Sequence, residues 1–261
     1  MEEKKDSLKI ALVQSLLHWE NPAANRQMFS DKFEQITEQV DLIVLPEMFS
    51  TGFTMSPNNI RKEEGSVTVR WMQEMASIKN SAIVGSIVFE EDDSYYNRLF
   101  FVKPEGNFES YDKRHTFTLA GENEKYSAGT DRLIVEYKGF FICPLICYDL
   151  RFPVWSRNTQ NFDMLLYTAN WPGKRIAAWD ALLKARAIEN MVYCIGVNRI
   201  GTDSLGHQYP GHSSIYDPLG ELQVFTKEEE IKIVKVEKSK VDKIKNKLRF
   251  LDDRDEFSLV Y

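Results

Sequence analysis

Short, nearly uninterrupted apolar runs alternate along this chain with stretches whose apolar residues recur at helical spacing. That alternation restricts the fold more than any other feature. Residues 8–14, 41–45, 81–89, 99–103 and 108–111 read as strands, as do 132–137, 140–147, 164–168, 192–197, 213–216 and 231–236. Residues 22–40 carry Met28, Phe33, Ile36 and Val40 at roughly helical spacing, and 67–79, 153–159, 176–190 and 241–247 read as further helices. The polar interval 90–98 reads as a hairpin loop, 104–107 as a turn, and Lys138-Gly139 as the turn of another hairpin. Strand and helix patterns mixed in this way place the chain in the α/β class, with helices on more than one sheet face. Periodicity alone leaves one sheet or two open, although the two halves look loosely alike.

No Gly/Ser tract, Pro-rich stretch or long charge block divides the 261 residues, so residues 1–261 are expected to form one domain, with a C-terminal tail from about 237. A hydrophobic share of 43% is ample for a large core. The net charge of −6 argues against a nucleic-acid or membrane-surface partner, since either polyanion would be repelled. Three cysteines do not make a disulfide framework, which fits a reduced, cytoplasmic setting. The first residues lack the apolar core of a signal peptide, and no run approaches the ~20 apolar residues of a membrane span.

Three of the strand-like runs end in reactive side chains. Phe140-Phe141-Ile142-Cys143-Pro144-Leu145-Ile146 runs into Cys147, Leu42-Ile43-Val44-Leu45 into Pro46-Glu47, and Phe108-Glu109-Ser110-Tyr111 into Asp112-Lys113. Strand ends are where ligands bind in α/β proteins. A thiol becomes nucleophilic only as thiolate, and a carboxylate held against it can remove the proton. An ammonium nearby would stabilise an oxyanion. Each residue also has a plainer reading. A strand cysteine is most often a small buried hydrophobe, which is how Cys143 and Cys194 read. A glutamate after proline is usually an exposed loop end, and a lysine after aspartate a surface ion pair. Two rival constellations are weaker. Cys143 and Cys147 are spaced C-x₃-C, but the remaining zinc ligands would have to come from the scattered His18, His115, His207 and His212. His115 could pair with Cys147 only if the strand bearing Lys113 continued past it. No glycine-rich nucleotide-binding sequence is present.

Leu45-Pro46-Glu47-Met48-Phe49-Ser50-Thr51-Gly52-Phe53, Tyr111-Asp112-Lys113-Arg114-His115 and Leu145-Ile146-Cys147-Tyr148-Asp149-Leu150-Arg151-Phe152-Pro153-Val154-Trp155 together resemble the three motifs of the nitrilase superfamily of carbon–nitrogen hydrolases. Ala169-Asn170-Trp171-Pro172, residues 184–190 and residues 249–254 look like its bacterial ω-amidase branch, the 2-oxoglutaramate amidases. The resemblance runs from about Lys9 to Val236. It implies a four-layer α-β-β-α sandwich, a homodimer, and a mechanism without metal or organic cofactor. It also implies Glu47 as general base, Lys113 as oxyanion stabiliser and Cys147 as nucleophile, with the Tyr148 backbone N–H completing the oxyanion site. The family's second glutamate lies seven residues before a glycine; counting back from Gly129 gives Glu122, with Glu124 the nearby alternative. Thr116 stands where relatives usually show leucine.

The substrate implied is a small anionic amide such as 2-oxoglutaramate or 2-oxosuccinamate, cleaved through a thioester to the dicarboxylate and ammonia. Its carboxylate needs a fixed cation. Arg175 is the candidate, with Trp171 and Phe53 as pocket walls and Asn170 beside them. The alternatives are a nitrilase or N-carbamoyl hydrolase with the same triad, or a non-catalytic binding scaffold.

Overall fold

The computed structural model describes residues 5–259. In chain order its elements are β1 (Ser7–Gln14), α1 (Pro22–Glu34), β2 (Leu42–Val44), α2 (Glu63–Lys79), β3 (Ala82–Glu91), β4 (Ser94–Val102) and β5 (Phe108–Asp112). Then come β6 (Val135–Tyr137), β7 (Phe140–Ile146), β8 (Met164–Ala169), α3 (Ile176–Asn190) and β9 (Tyr193–Asn198). The chain ends with β10 (Ile200–Thr202), β11 (Gln208–Pro210), β12 (Ser213–Tyr216), β13 (Leu222–Thr226), β14 (Glu230–Glu237) and α4 (Lys238–Leu248).

Two six-stranded sheets form, in the orders β14-β1-β2-β3-β4-β5 and β13-β12-β9-β8-β7-β6. Each has three parallel strands at its centre, one antiparallel strand on one side and two on the other. This shared pattern is the structural content of the likeness between the halves. The sheets pack face to face as the two inner layers of the α-β-β-α sandwich. Phe101 of the first meets Tyr137 of the second with ring centroids 5.6 Å apart, and the Tyr137 hydroxyl donates to the Asp41 carbonyl.

Alternation along the central strands explains their unbroken apolar runs. Ile10, Leu12, Leu42 and Val44 belong to the core between the sheets. Ala11, Val13, Ile43 and Leu45 face the other way, onto Phe29 and Phe33 of α1 and Met72 and Ala76 of α2. On the second sheet α3 supplies the outer layer. Gly196 of β9 lets it approach, since a Cβ there would lie 2.5 Å from the Trp179 ring and 2.6 Å from Leu183.

Several local expectations need correction. The interval 90–98 is a tight hairpin rather than a loop: Asp92 and Asp93 both have positive φ, as a two-residue primed turn requires, and β3 and β4 pair right up to it. Residues 153–159 form no helix. The Asn158 side chain accepts from the Phe162 N–H and donates to its carbonyl, replacing a helical ladder with local side-chain bonds. Helix α1 stops at Glu34, and Ile36 and Val40 are buried beneath it without being helical. The short strands β10, β11 and β13 gave no apolar signal.

Candidate active site

Strands β2, β7 and β8 point their C-terminal ends to one edge of the sandwich. β5 is reached from β3 through two antiparallel steps and so runs the same way. Glu47, Lys113, Cys147 and Asn170 follow these strands directly, which is why residues so far apart in sequence converge. All but Glu47 line a cavity of about 270 Å³.

Lys113 is the hub. Its Nζ donates to Glu47 Oε1 at 2.8 Å and to both oxygens of Glu122, at 3.0 and 2.9 Å. All three side chains are at most 1% exposed. Glu122 is therefore the buried partner, while Glu124 is exposed. Glu122 also accepts from the Phe117 N–H. Asn97, which no sequence motif singled out, donates from its side-chain amide to Glu47 Oε1 (2.8 Å) and Glu122 Oε1 (3.1 Å). Glu47 Oε2 accepts the Asn170 backbone N–H at 2.8 Å. The Phe53 ring lies 5.1 Å from Lys113 Nζ.

The electrostatics follow from burial. Burial alone would lower the Lys113 pKa, but Glu122 and Glu47 outweigh it and hold the ammonium charged. Burial pushes Glu122 above the usual carboxylate range, with Lys113 pulling back and Glu47 pushing further. Burial, reinforced by the Glu47 charge, pushes the Cys147 thiol well up, against the opposing pull of Lys113 and the Asn170 N–H. Burial and the Glu47 charge both favour the neutral thiol.

Cys147 opens a 3-10 turn that ends at Arg151, and its φ of 42° places it in the left-handed region; Met48, directly after Glu47, has the same value. Non-glycine residues there cost about 1–3 kcal/mol unless the surroundings hold them. At Met48 the Ser86 hydroxyl accepts the backbone N–H. At Cys147 the buried Asp149 carboxylate fixes the turn. It accepts from the Ile146 N–H (3.0 Å), the Tyr111 hydroxyl (2.8 Å) and the His115 N–H (3.0 Å), and its Oδ1 lies 2.8 Å from His115 Nδ1. His115 thus pairs with Asp149, not with the thiol.

Phe53, Asn170, Trp171, Arg175 and Tyr148 line the cavity, as does Arg151. Arg175 lies over the Phe117 ring at 5.1 Å and Arg151 over Trp171 at 4.9 Å. Neither guanidinium makes an ion pair among the described residues. Arg151 lay inside a quoted motif, yet nothing in its spacing marked it as a rim residue. The β10–β11 hairpin adds Asp203, Leu205, His207 and Tyr209 to the cavity wall, and its polar sequence carried no signal of that role. The described residues hold no group of three or more His, Cys, Asp or Glu side chains able to hold a metal ion.

Comparisons with known proteins agree on the family. The carbon–nitrogen hydrolase family model matches residues 9–246. The chain is 46% identical over 217 residues to the omega-amidase YafV of Yersinia enterocolitica, covering 83% of this chain and 84% of the relative. It is 32% identical over 218 residues to the 2-oxoglutaramate amidase of Bacillus subtilis, covering 82% and 84%. A crystal structure of a CN-hydrolase superfamily protein from Xanthomonas campestris, with an arsenic adduct in its active site, superposes with a TM-score of 0.94 at 37% identity, covering 98% of this chain and 100% of that one. The chain belongs to the carbon–nitrogen hydrolase family, in the ω-amidase branch of the nitrilase superfamily, enzymes that hydrolyse carbon–nitrogen bonds of non-peptide amides.

Proposed function

We propose that this enzyme releases ammonia from the terminal amide of small 2-oxo acid amides, 2-oxoglutaramate and 2-oxosuccinamate, through a thioester on Cys147. The observation that carries this reading is the Glu47–Lys113 contact beside the buried Cys147, in a cavity whose rim holds two arginines that make no ion pair among the described residues. Glu47 takes the proton of Cys147 as the sulfur attacks the amide carbon. Lys113, whose N–H groups reach Glu47 and both oxygens of Glu122, stabilises the oxyanion by its charge, and the Tyr148 backbone N–H donates to it. Preorganised donors of this kind are typically worth about 10²–10³ in rate each. The protonated Glu47 gives its proton to the departing nitrogen, and ammonia leaves. Glu47 then deprotonates water, which attacks the thioester carbon, and the thiolate recovers the proton as the acid departs. Glu122 fixes Lys113 throughout.

Arg175 and Arg151 bind the carboxylate end of the substrate, held in place by Phe117 and Trp171, while Phe53 and Asn170 complete the walls. The chemistry calls for no metal or organic cofactor. The working form is a cytoplasmic homodimer without nucleic-acid or membrane partners.

Ammonia release from 2-oxoglutaramate, 2-oxosuccinamate, a nitrile and an N-carbamoyl amino acid, assayed side by side, tests the reading. Turnover of the oxo acid amides, abolished in a folded Cys147→Ala variant, supports it. Preference for the nitrile or carbamoyl compound, or full activity without the thiol, overturns it. Alkylation of Cys147 with no turnover of any compound would favour a binding scaffold.

A further inference from the structure

Asn97 sits on the inward stripe of β4, two residues from Leu99 and four from Phe101, both in the core between the sheets. A polar residue there needs a reason, because the neighbouring positions of that stripe are apolar. Its backbone carbonyl accepts the Lys113 N–H at 3.0 Å, so sheet register sets it beside the lysine. Both side-chain N–H groups go to carboxylates, one to Glu47 and one to Glu122. The other end of the amide, Oδ1, is buried and has no hydrogen-bond partner among the described residues. A buried polar atom left unpaired costs free energy. The orientation is therefore held by what the two N–H groups do.

Two carboxylates face one ammonium in this dry cluster. In such a site one carboxylate tends to bind a proton, because like charges in low dielectric resist joint ionisation. The groups facing the pair are Lys113, Cys147 and the Tyr126 phenol. Apart from Lys113, Asn97 is the only side chain among the described residues that donates to both carboxylates. Protonation of Glu47 would remove the base.

We propose that Asn97 is a positioning residue whose side-chain amide keeps Glu47 and Glu122 ionised together around Lys113, so that Glu47 remains available to take the thiol proton. This inference rests on the reading of Glu47 as the base. The raised Glu122 pKa accords with it, since a carboxylate already pushed up by burial is the one a lost donor would tip. A hydrogen bond to a charged group is strong enough to move a pKa by about one unit or more.

The test is the pH profile of ammonia release by Asn97→Ala and Asn97→Ser, read with infrared difference spectra of the same proteins without substrate. The expected result is kcat lower by about tenfold or more with KM changed less than about threefold, and an acid limb of kcat/KM moved up by about one pH unit. A protonated-carboxyl band should appear at higher pH than in the unaltered chain, and Glu47→Gln or Glu122→Gln combined with Asn97→Ala should remove it. A folded variant with an unmoved acid limb and no new band overturns the inference. So does a protonated-carboxyl band of the unaltered chain at neutral pH that Glu47→Gln or Glu122→Gln abolishes, a measurement that needs no Asn97 variant. If the unaltered chain releases ammonia from none of the amides, the functional reading fails, while the infrared arm still decides what Asn97 does.

Discussion

Asn170 grips Glu47 twice, its backbone N–H donating to the carboxylate at 2.8 Å and its side-chain amide to the Glu47 carbonyl at 2.5 Å. Asn170 follows β8 of the second sheet and Glu47 follows β2 of the first, so this clasp ties the two sheets together at the edge where the cavity opens. Asn170→Ala removes the side-chain half and leaves the N–H in place. The expected outcome is a folded enzyme with kcat reduced about tenfold, because a base displaced slightly from the sulfur loses transfer efficiency. Steady-state ammonia release checks it; an unchanged kcat would deny the clasp a role.

Lys113→Met leaves Glu47 and Glu122 facing each other without a cation. Removing one partner of a buried ion pair typically costs about 3–5 kcal/mol, and turnover should vanish with the oxyanion donor. The variant's carboxylates would have folded pKa values raised above the unfolded value of about 4.3. Stability is then present below that value and lost as pH rises through the folded pKa. Urea melts should therefore show the variant regaining part of its deficit between pH 7 and pH 5. A deficit that stays constant over that window would mean that the two carboxylates do not repel across the site.

Arg175→Gln and Arg151→Gln address the carboxylate end. Each should raise KM for 2-oxoglutaramate by about tenfold or more, the scale of a lost charge-assisted bond, and leave an uncharged amide such as propionamide nearly unaffected. The double variant should fall short of the sum of the two, since both cations would face one carboxylate. Equal losses on charged and uncharged amides would show that the arginines hold the loops and not the substrate.

The ends of three strand-like runs made Glu47, Lys113 and Cys147 legible, because a reactive residue where a strand stops is an unusual economy of sequence. Glu122 was reachable only through motif spacing, since its own surroundings read as loop. Asn97 was hidden for a physical reason. Its strand presents charge at the edge, where Arg98 bonds Asp112 and Glu91 across neighbouring strands, so the stretch looked like a polar loop. The β10–β11 wall was equally silent, because three-residue strands are held by the Asp203 carboxylate, which accepts the Leu205 and His207 N–H groups and the Tyr209 hydroxyl. The two-sheet architecture could not be read from period, since strands buried on both faces look alike in one sheet or two.

Cys147 should titrate late. With its pKa pushed up by burial and by Glu47, the thiolate is scarce at pH 7, and alkylation by iodoacetamide without substrate should climb through the neutral range with no plateau below about pH 9. Cys143, pushed up to about 12, and Cys194 are fully buried and should stay unlabelled. The folded pKa lies above the unfolded one, so the associated stability is present below about pH 8.5 and lost as pH rises. Cys147→Ala should flatten part of that alkaline loss. Rapid, pH-independent labelling at pH 6 would mean a thiolate already formed at rest.

Asp149→Asn tests whether the turn that presents the sulfur is held from behind. The carboxylate collects the Ile146 N–H, the His115 N–H and the Tyr111 hydroxyl, and Tyr111 in turn accepts the Trp155 indole N–H and the Arg114 backbone N–H. Tyr111 and His115 flank Lys113 by two residues on either side, so one buried carboxylate registers the nucleophile turn against the strand exit that carries the lysine. An amide presents a single acceptor oxygen and turns an NH₂ toward existing donors, leaving at least one buried group unpaired at about 1–3 kcal/mol each. The variant should melt several degrees lower and lose kcat by about tenfold or more, with KM little changed because no substrate-facing group is altered. Glu47→Gln, whose carboxylate accepts from Lys113, Asn97 and the Asn170 N–H, should likewise melt lower but lose turnover altogether. If Asp149→Asn melts lower yet keeps its kcat, the carboxylate supports the fold alone and the left-handed Cys147 is held by other contacts.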